Sequence, residues 1–279
     1  MTHIEGTFSV HRHMPLFYQA WLPESKPKAV IVLVHGLADH SGRHGNLVNF
    51  LLSRGFTVWS YDQRGHGKSP GPRCYANRFS DLINDLKMFV AVVAEQNSSS
   101  PVFVVGHSMG ALESAAFAAE RPEHVTGVAL SGLLLKPGES VPVLVQSLAK
   151  LLSFLAPRLG VQRLDCSAIS RDQSVVKAYL NDPLVYTGKI PARMGAELLT
   201  AMTTVKSHIH NIGMPVLLMH GGSDRLADPS SSQFAFDNVS STDKELHFFP
   251  GCYHEIFNEP CRDFVLGTLS QWLDKHILV

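Results

Sequence analysis

Gly106-His107-Ser108-Met109-Gly110 follows the apolar run Val102-Phe103-Val104-Val105 and precedes a helix-forming stretch from Ala111 to Glu120. A serine on a sharp strand-to-helix turn is the arrangement of a nucleophile elbow, which points to hydrolysis through a covalent serine intermediate. The glycines at 106 and 110 suit strained backbone at Ser108 and close packing of strand against helix. Ser108 is then expected at the helix N-terminus, where unpaired N–H groups and the helix dipole favour a developing oxyanion.

A serine hydroxyl needs a histidine base, itself oriented by a carboxylate. Enzymes built on such an elbow carry the acid and then the histidine after the serine, each on the loop following a later strand. The run from Met214 to Met219 leads into His220-Gly221-Gly222-Ser223-Asp224, and the run from Lys244 to Pro250 leads into Gly251-Cys252-Tyr253-His254. Ser108, Asp224 and His254 are therefore the expected nucleophile, acid and base. Asp228 competes with Asp224 in the same loop, but Asp228-Pro229-Ser230 reads as a helix start in which the aspartate caps. His247 alternates into a strand, and His220 precedes the acid. Two N–H donors for the oxyanion are expected from Met109 and from Leu37, the latter in His35-Gly36-Leu37 after an early strand. Arg64-Gly65-His66-Gly67-Lys68-Ser69 lacks the spacing of a phosphate loop and reads as a structural turn.

Apolar runs at Ala29–Val34, Phe56–Tyr61, Val102–Val105, Val125–Leu130, Val216–Met219 and Leu246–Phe249 have the continuity of strands buried on both faces. Helical periodicity separates most of them, at Asn46–Ser53, Phe79–Asn97, Met109–Glu120, Ser230–Asn238 and Arg262–His276. That alternation predicts an α/β fold with a mostly parallel sheet, preceded by a hairpin of Gly6–Val10 and Phe17–Leu22. Residues 133–212 hold no convincing buried strand and read as a helical cap or lid inserted between core segments 1–132 and 213–279. Within it, Val141–Ala156 predicts a helix whose polar residues keep to one narrow stripe. At about 24 Å it is short of a membrane crossing, so its apolar face packs on the core, roofs an apolar site or rests on a bilayer surface. Ser170–Asn181 and Arg193–Lys206 read as further helices.

Lys plus Arg and Asp plus Glu are equal at 24 each, which leaves no basic footprint and excludes nucleic acid as the expected partner. The 15 histidines are scattered without metal-ligand spacing, so neither metal nor cofactor is expected. Cys74, Cys166, Cys252 and Cys261 show no C-x-x-C spacing, and Met1 to Arg12 lacks the apolar segment of a secretion signal. Reduced thiols in the cytoplasm are the expectation, with Cys252 a small apolar side chain or a reactive thiol beside His254.

His35-Gly36-Leu37-Ala38-Asp39-His40-Ser41-Gly42-Arg43, Asp62-Gln63-Arg64-Gly65-His66-Gly67-Lys68-Ser69, the Ser108 elbow, Asp224-Arg225-Leu226 and Tyr253-His254-Glu255 together closely resemble the monoacylglycerol lipases of the α/β-hydrolase superfamily. The resemblance runs nearly end to end. It implies an α/β-hydrolase fold and hydrolysis of monoacylglycerol to glycerol and fatty acid, with a small-molecule lipid as partner; peripheral membrane contact is expected from the apolar face of the cap helix. It further implies that Asp39 and Arg43 contact the glycerol head and that Tyr179, in Tyr179-Leu180-Asn181-Asp182-Pro183-Leu184, lies near its exit. The chain departs from the family pattern at Asp39, where glutamate is usual, at Ala111, where glycine is usual, and at Phe257, where some members have histidine. Competing readings are a broader carboxylesterase or lysophospholipase, an aminopeptidase, and a non-catalytic binding module. An aminopeptidase calls for acidic groups in the cap, whose first helix carries only Lys150 as a charge. Serine at position 108 excludes chemistry that needs aspartate there. Oligomeric state is not legible.

Overall fold

The computed structural model describes residues 1–138 and 151–277. Eight strands form the main sheet: β1 (Thr2–Val10), β2 (Met14–Leu22), β3 (Val30–Val34), β4 (Thr57–Tyr61), β5 (Val102–His107), β6 (Gly127–Ser131), β9 (Val216–Gly221) and β10 (Lys244–Phe249). They lie in the order β1-β2-β4-β3-β5-β6-β9-β10. The β1–β2 hairpin and its joint with β4 are antiparallel, and every other pairing in this sheet is parallel. The hairpin is longer at both strands than the apolar pattern predicts, because the first residues of β1 are exposed and carry no apolar alternation.

β3, β4, β5, β6 and β9 are buried along their whole length, which explains their unbroken apolar runs. Burying each such Val, Leu or Ile contributes about 1.5–3 kcal/mol. Helices cover both faces: α1 (Gly45–Ser53) and α7 (Arg262–Ile277) lie over one, and α2 (Phe79–Gln96) and α3 (Met109–Ala118) over the other. The two apolar clusters divide accordingly. Leu82, Leu86 and Phe89 of α2 join Val32, Val104 and Leu130, while Leu47 and Leu51 of α1 join Ile31, Phe103 and Trp272.

Between β6 and β9 the chain forms a half-buried two-stranded ribbon, β7 (Gly160–Arg163) with β8 (Lys189–Pro191). It also forms α4 (Gln173–Asn181), capped by the Asp172 carboxylate accepting from Ser174 N at 2.9 Å, and α5 (Ala192–His208). The expected helix over Val141–Ala156 falls, for residues 141–150, outside the described residues, and residues 151–155 are helical. The last helix of this insertion is part of the core. Met194, Leu198, Ala201, Met202 and Val205 of α5 pack in the same cluster as the buried face of α3. α6 (Ser230–Asn238) completes the layer between β9 and β10. No described helix is long and apolar enough to cross a membrane.

Candidate active site

Ser108 sits between β5 and α3 with φ 57° and ψ −118°, a conformation that side chains rarely adopt. Its own N–H donates to Ser131 O at 2.8 Å, tying the turn to β6. Glycine is required on both sides. A Cβ on Gly106 would lie 2.5 Å from Gly110 O and 2.6 Å from Ser114 Oγ, and one on Gly110 would strike Val34 O and His35 O. The elbow is thus wedged against β3, and Ser108 keeps only 9% of its surface open.

Parallel pairing brings the ends of β9 and β10 level, Phe249 opposite Gly221, so the loops that follow meet above β6. His254 Nδ1 donates to Asp224 Oδ2 at 2.6 Å, which leaves Nε2 as the ring's basic nitrogen. Asp224 Oδ1 accepts from Leu226 N at 2.8 Å and Ala227 N at 3.0 Å. His220, passed over because it precedes the acid, stands on the far side of the same carboxylate, with Nε2 3.2 Å from Asp224 Oδ2 and Nδ1 2.7 Å from Ser232 Oγ. Burial favours the protonated form of Asp224, but His254 and His220 outweigh it and hold the carboxyl far below its ordinary range. Burial likewise opposes charge on His254, and Asp224 more than reverses this, so its pKa lies above the ordinary histidine value. Gly132, at φ +57°, gives the ring room: a Cβ there would lie 3.1 Å from His254 Cε1. Asp228 faces elsewhere. It accepts from Ser230 N at 2.9 Å and from Lys136 Nζ at 2.6 Å, the helix-start role expected of it.

The loop after β3 is held from behind. Gln63 donates through its N–H to His35 Nε2 at 3.0 Å and through Nε2 to His35 O at 2.7 Å. Asp62 Oδ1 accepts from the N–H and hydroxyl of Ser41 at 2.8 and 2.7 Å, while its Oδ2 takes Lys68 N at 2.7 Å. The glycine-rich turn at Arg64–Ser69 is therefore a buttress. The N–H groups of Leu37 and Met109 meet no acceptor among the described residues.

Gly36, Leu37, Asp39, His107, Ser108, Leu134, Leu164, Ile169, Tyr179, Leu226, His254 and Glu255 line one cavity. Of the expected head-group residues, Asp39 and Tyr179 face it and Arg43 does not. The guanidinium lies behind them, donating to Asp39 Oδ1 at 2.9 Å and to both oxygens of Glu255 at 2.9 and 3.0 Å. Burial alone would raise the pKa of Asp39, but Arg43 and His44 reverse it and hold the carboxyl well below the usual carboxylate range. Tyr179 covers the guanidinium with its ring at 4.4 Å, and its buried hydroxyl has no partner among the described residues. Sequence reading missed Glu255, because a loop residue beside His254 has no periodicity to say which way it points.

Four reduced thiols were expected. The sulfurs of Cys252 and Cys261 lie against each other where the start of α7 folds back on the loop after β10, while Cys74 and Cys166 are free.

The sequence pattern of the family described as serine aminopeptidase, S33, matches residues 25–261. The monoacylglycerol lipase of Mycolicibacterium smegmatis is 34% identical over 276 residues, covering 99% of each chain. The monoglyceride lipase of Rattus norvegicus is 35% identical over 95% of this chain and 88% of its own. Among solved structures, the Paleococcus ferrophilus monoacylglycerol lipase superposes with a TM-score of 0.82 at 32% identity over 99% of this chain and all of its own. A soluble variant of Saccharomyces cerevisiae monoglyceride lipase, bound to a substrate analog, superposes with a TM-score of 0.89 at 25% identity over 97% and 94%. By pattern, by identity along its whole length and by fold, this chain belongs to the serine aminopeptidase S33 family of α/β-hydrolases, and the relatives described above are monoacylglycerol lipases.

Proposed function

We propose that the chain hydrolyses monoacylglycerols to glycerol and fatty acid, with Ser108 as nucleophile, His254 as base and Asp224 as its orienting acid. The observation that carries this reading is the shared cavity: Ser108 and His254 open onto the same space as Asp39, Tyr179 and a wall of Leu37, Leu134, Leu164, Ile169 and Leu226. His254 Nε2 takes the proton as the Ser108 hydroxyl attacks the acyl carbonyl. The N–H groups of Leu37 and Met109 receive the oxyanion, and each such donor is worth about 10²- to 10³-fold in turnover. His254 then protonates the departing glycerol oxygen, and water repeats the sequence on the acyl-enzyme. Asp224 fixes the imidazole tautomer and stabilises its cation. No step calls for a metal or cofactor.

Peripheral membrane contact fits the same reading, since Leu151, Phe154, Leu155 and Leu159 are exposed on the cap. Ser108→Ala is expected to abolish both monoacylglycerol hydrolysis and labelling by a fluorophosphonate probe while circular dichroism stays unchanged. Retained turnover in that variant overturns the mechanism, and a wild-type preference for lysophospholipid over monoacylglycerol of matched chain length overturns the substrate.

A further inference from the structure

The geometry points to Glu255 as a specificity-determining residue that makes the cavity select neutral, hydroxyl-bearing head groups and reject phosphate-bearing ones. The inference rests on the glycerol-ester reading above and names what that site excludes. Arg43 pairs with two residues that line the cavity, Asp39 and Glu255, and an arginine is the side chain best shaped to take a phosphate in two parallel hydrogen bonds. Here those positions are occupied. Glu255 Oε1 and Oε2 accept from Nη1 and Nη2 at 2.9 and 3.0 Å, Nη1 also serves Asp39 Oδ1 at 2.9 Å, and the Tyr179 ring covers the guanidinium face at 4.4 Å.

Glu255 is itself fixed. Its N–H donates to Ile169 O at 2.7 Å, and Oε2 accepts from Asn258 Nδ2 at 2.8 Å. Asn258 is held in turn by Asn46 Nδ2 at 2.9 Å. The guanidinium therefore cannot swing forward without leaving a buried carboxylate unpaired, a costly change in a nearly closed site.

What faces the cavity is the carboxylate side of this cluster. Asp39 and Glu255 line it, Arg43 does not, and neither a lysine nor an arginine is among the described residues that do. His44 Nε2 lies 3.2 Å from Asp39 Oδ2, also on the cluster and not among the lining residues. Two carboxylates share one guanidinium. Hydroxyl groups of a polyol donate to their free lone pairs, and the Tyr179 hydroxyl, without a partner among the described residues, adds one more polar contact. A phosphate offers acceptors only, and brings its charge against like charges in a desolvated space.

The test uses the full chain and a matched pair of substrates, 1-oleoylglycerol and 1-oleoylglycerol 3-phosphate. Glu255→Gln frees part of the guanidinium and removes one negative charge at nearly constant shape. It is expected to raise the ratio of kcat/KM for the phosphate ester over the neutral ester about tenfold, through KM. Glu255→Asp, which keeps the charge, is expected to hold the wild-type ratio. An equal fall on both substrates in Glu255→Gln, or the same ratio change in Glu255→Asp, overturns the proposal by making Glu255 merely structural. A measurement on wild type covers the case of misfolded variants: the phosphate ester should inhibit neutral hydrolysis with a Ki well above the neutral ester's KM, and a Ki at or below that value overturns the proposal. Should wild type cleave simple alkyl esters but not 1-oleoylglycerol, the glycerol reading and this one fall together. Failure of selectivity with 1-oleoylglycerol hydrolysis intact removes only this one.

Discussion

Asp224 is the most constrained side chain of the site: two histidines press on one carboxylate oxygen and two backbone N–H groups hold the other. The arrangement fixes which nitrogen of His254 stays basic. Asp224→Asn keeps the shape but inverts the preferred tautomer, so kcat is expected to fall by about 10⁴-fold in an ester assay. Because Asp224 raises the His254 pKa, the acid limb of the wild-type kcat/KM profile should lie above the ordinary histidine value of about 6.5. In Asp224→Asn the limb should move to lower pH. A limb that does not move would remove Asp224 from His254's electrostatics. Asp228→Ala gives the contrast: it loses a helix-start contact worth about 1 kcal/mol in thermal or denaturant unfolding and leaves turnover in place. The sequence distinguished these two aspartates because Pro229 marks a helix start, whereas the partnership of Asp224 with His220 needed the fold.

Between elements, one buried contact joins β4 to α3 beneath the elbow. Tyr61 donates its hydroxyl to Glu113 Oε1 at 2.7 Å, while Glu113 is fully buried and its Oε2 has no partner among the described residues. Burial is the main reason that Glu113 titrates well above the ordinary carboxylate range. Between the unfolded and the folded pKa, the folded state therefore binds a proton that the unfolded chain has already released. Glu113 thus contributes stability that is fully present below its unfolded pKa and is lost as pH rises through the folded value. Glu113→Gln is expected to flatten the fall of Tm with rising pH from the carboxylate range upward and to match or exceed wild-type Tm at alkaline pH. Unchanged pH dependence in that variant would mean that Glu113 is charged in the folded protein. From sequence alone, Glu113 reads as one polar residue among the alanines of a helix, and nothing in its spacing shows that nearly all of α3 is buried.

At the scale of the whole molecule, parallel strands carry their following loops to one edge, which is where Ser108 meets His254 and its partner Asp224, both more than a hundred residues further along the chain. The insertion contributes unevenly to the whole. α5 is built into the core, whereas Phe154 is 82% exposed and Leu155 66% exposed. Such side chains mark a surface that prefers an apolar neighbour. The double variant Phe154→Ser with Leu155→Ser is expected to lose co-sedimentation with phospholipid vesicles while hydrolysing a water-soluble ester at the wild-type rate. Wild-type sedimentation in the variant would place membrane contact elsewhere or nowhere. By itself the sequence determined the strand and helix order and proposed the elbow, the acid and the base, because apolar runs, glycines and chain order are local signals that survive without coordinates. Only the tertiary structure decided that Arg43 sits behind Asp39 and Glu255 rather than in the cavity, that His220 backs Asp224, and that Cys252 meets Cys261. Each of these depends on where loops distant in sequence point their side chains once the sheet has brought them together, and no periodicity records that direction.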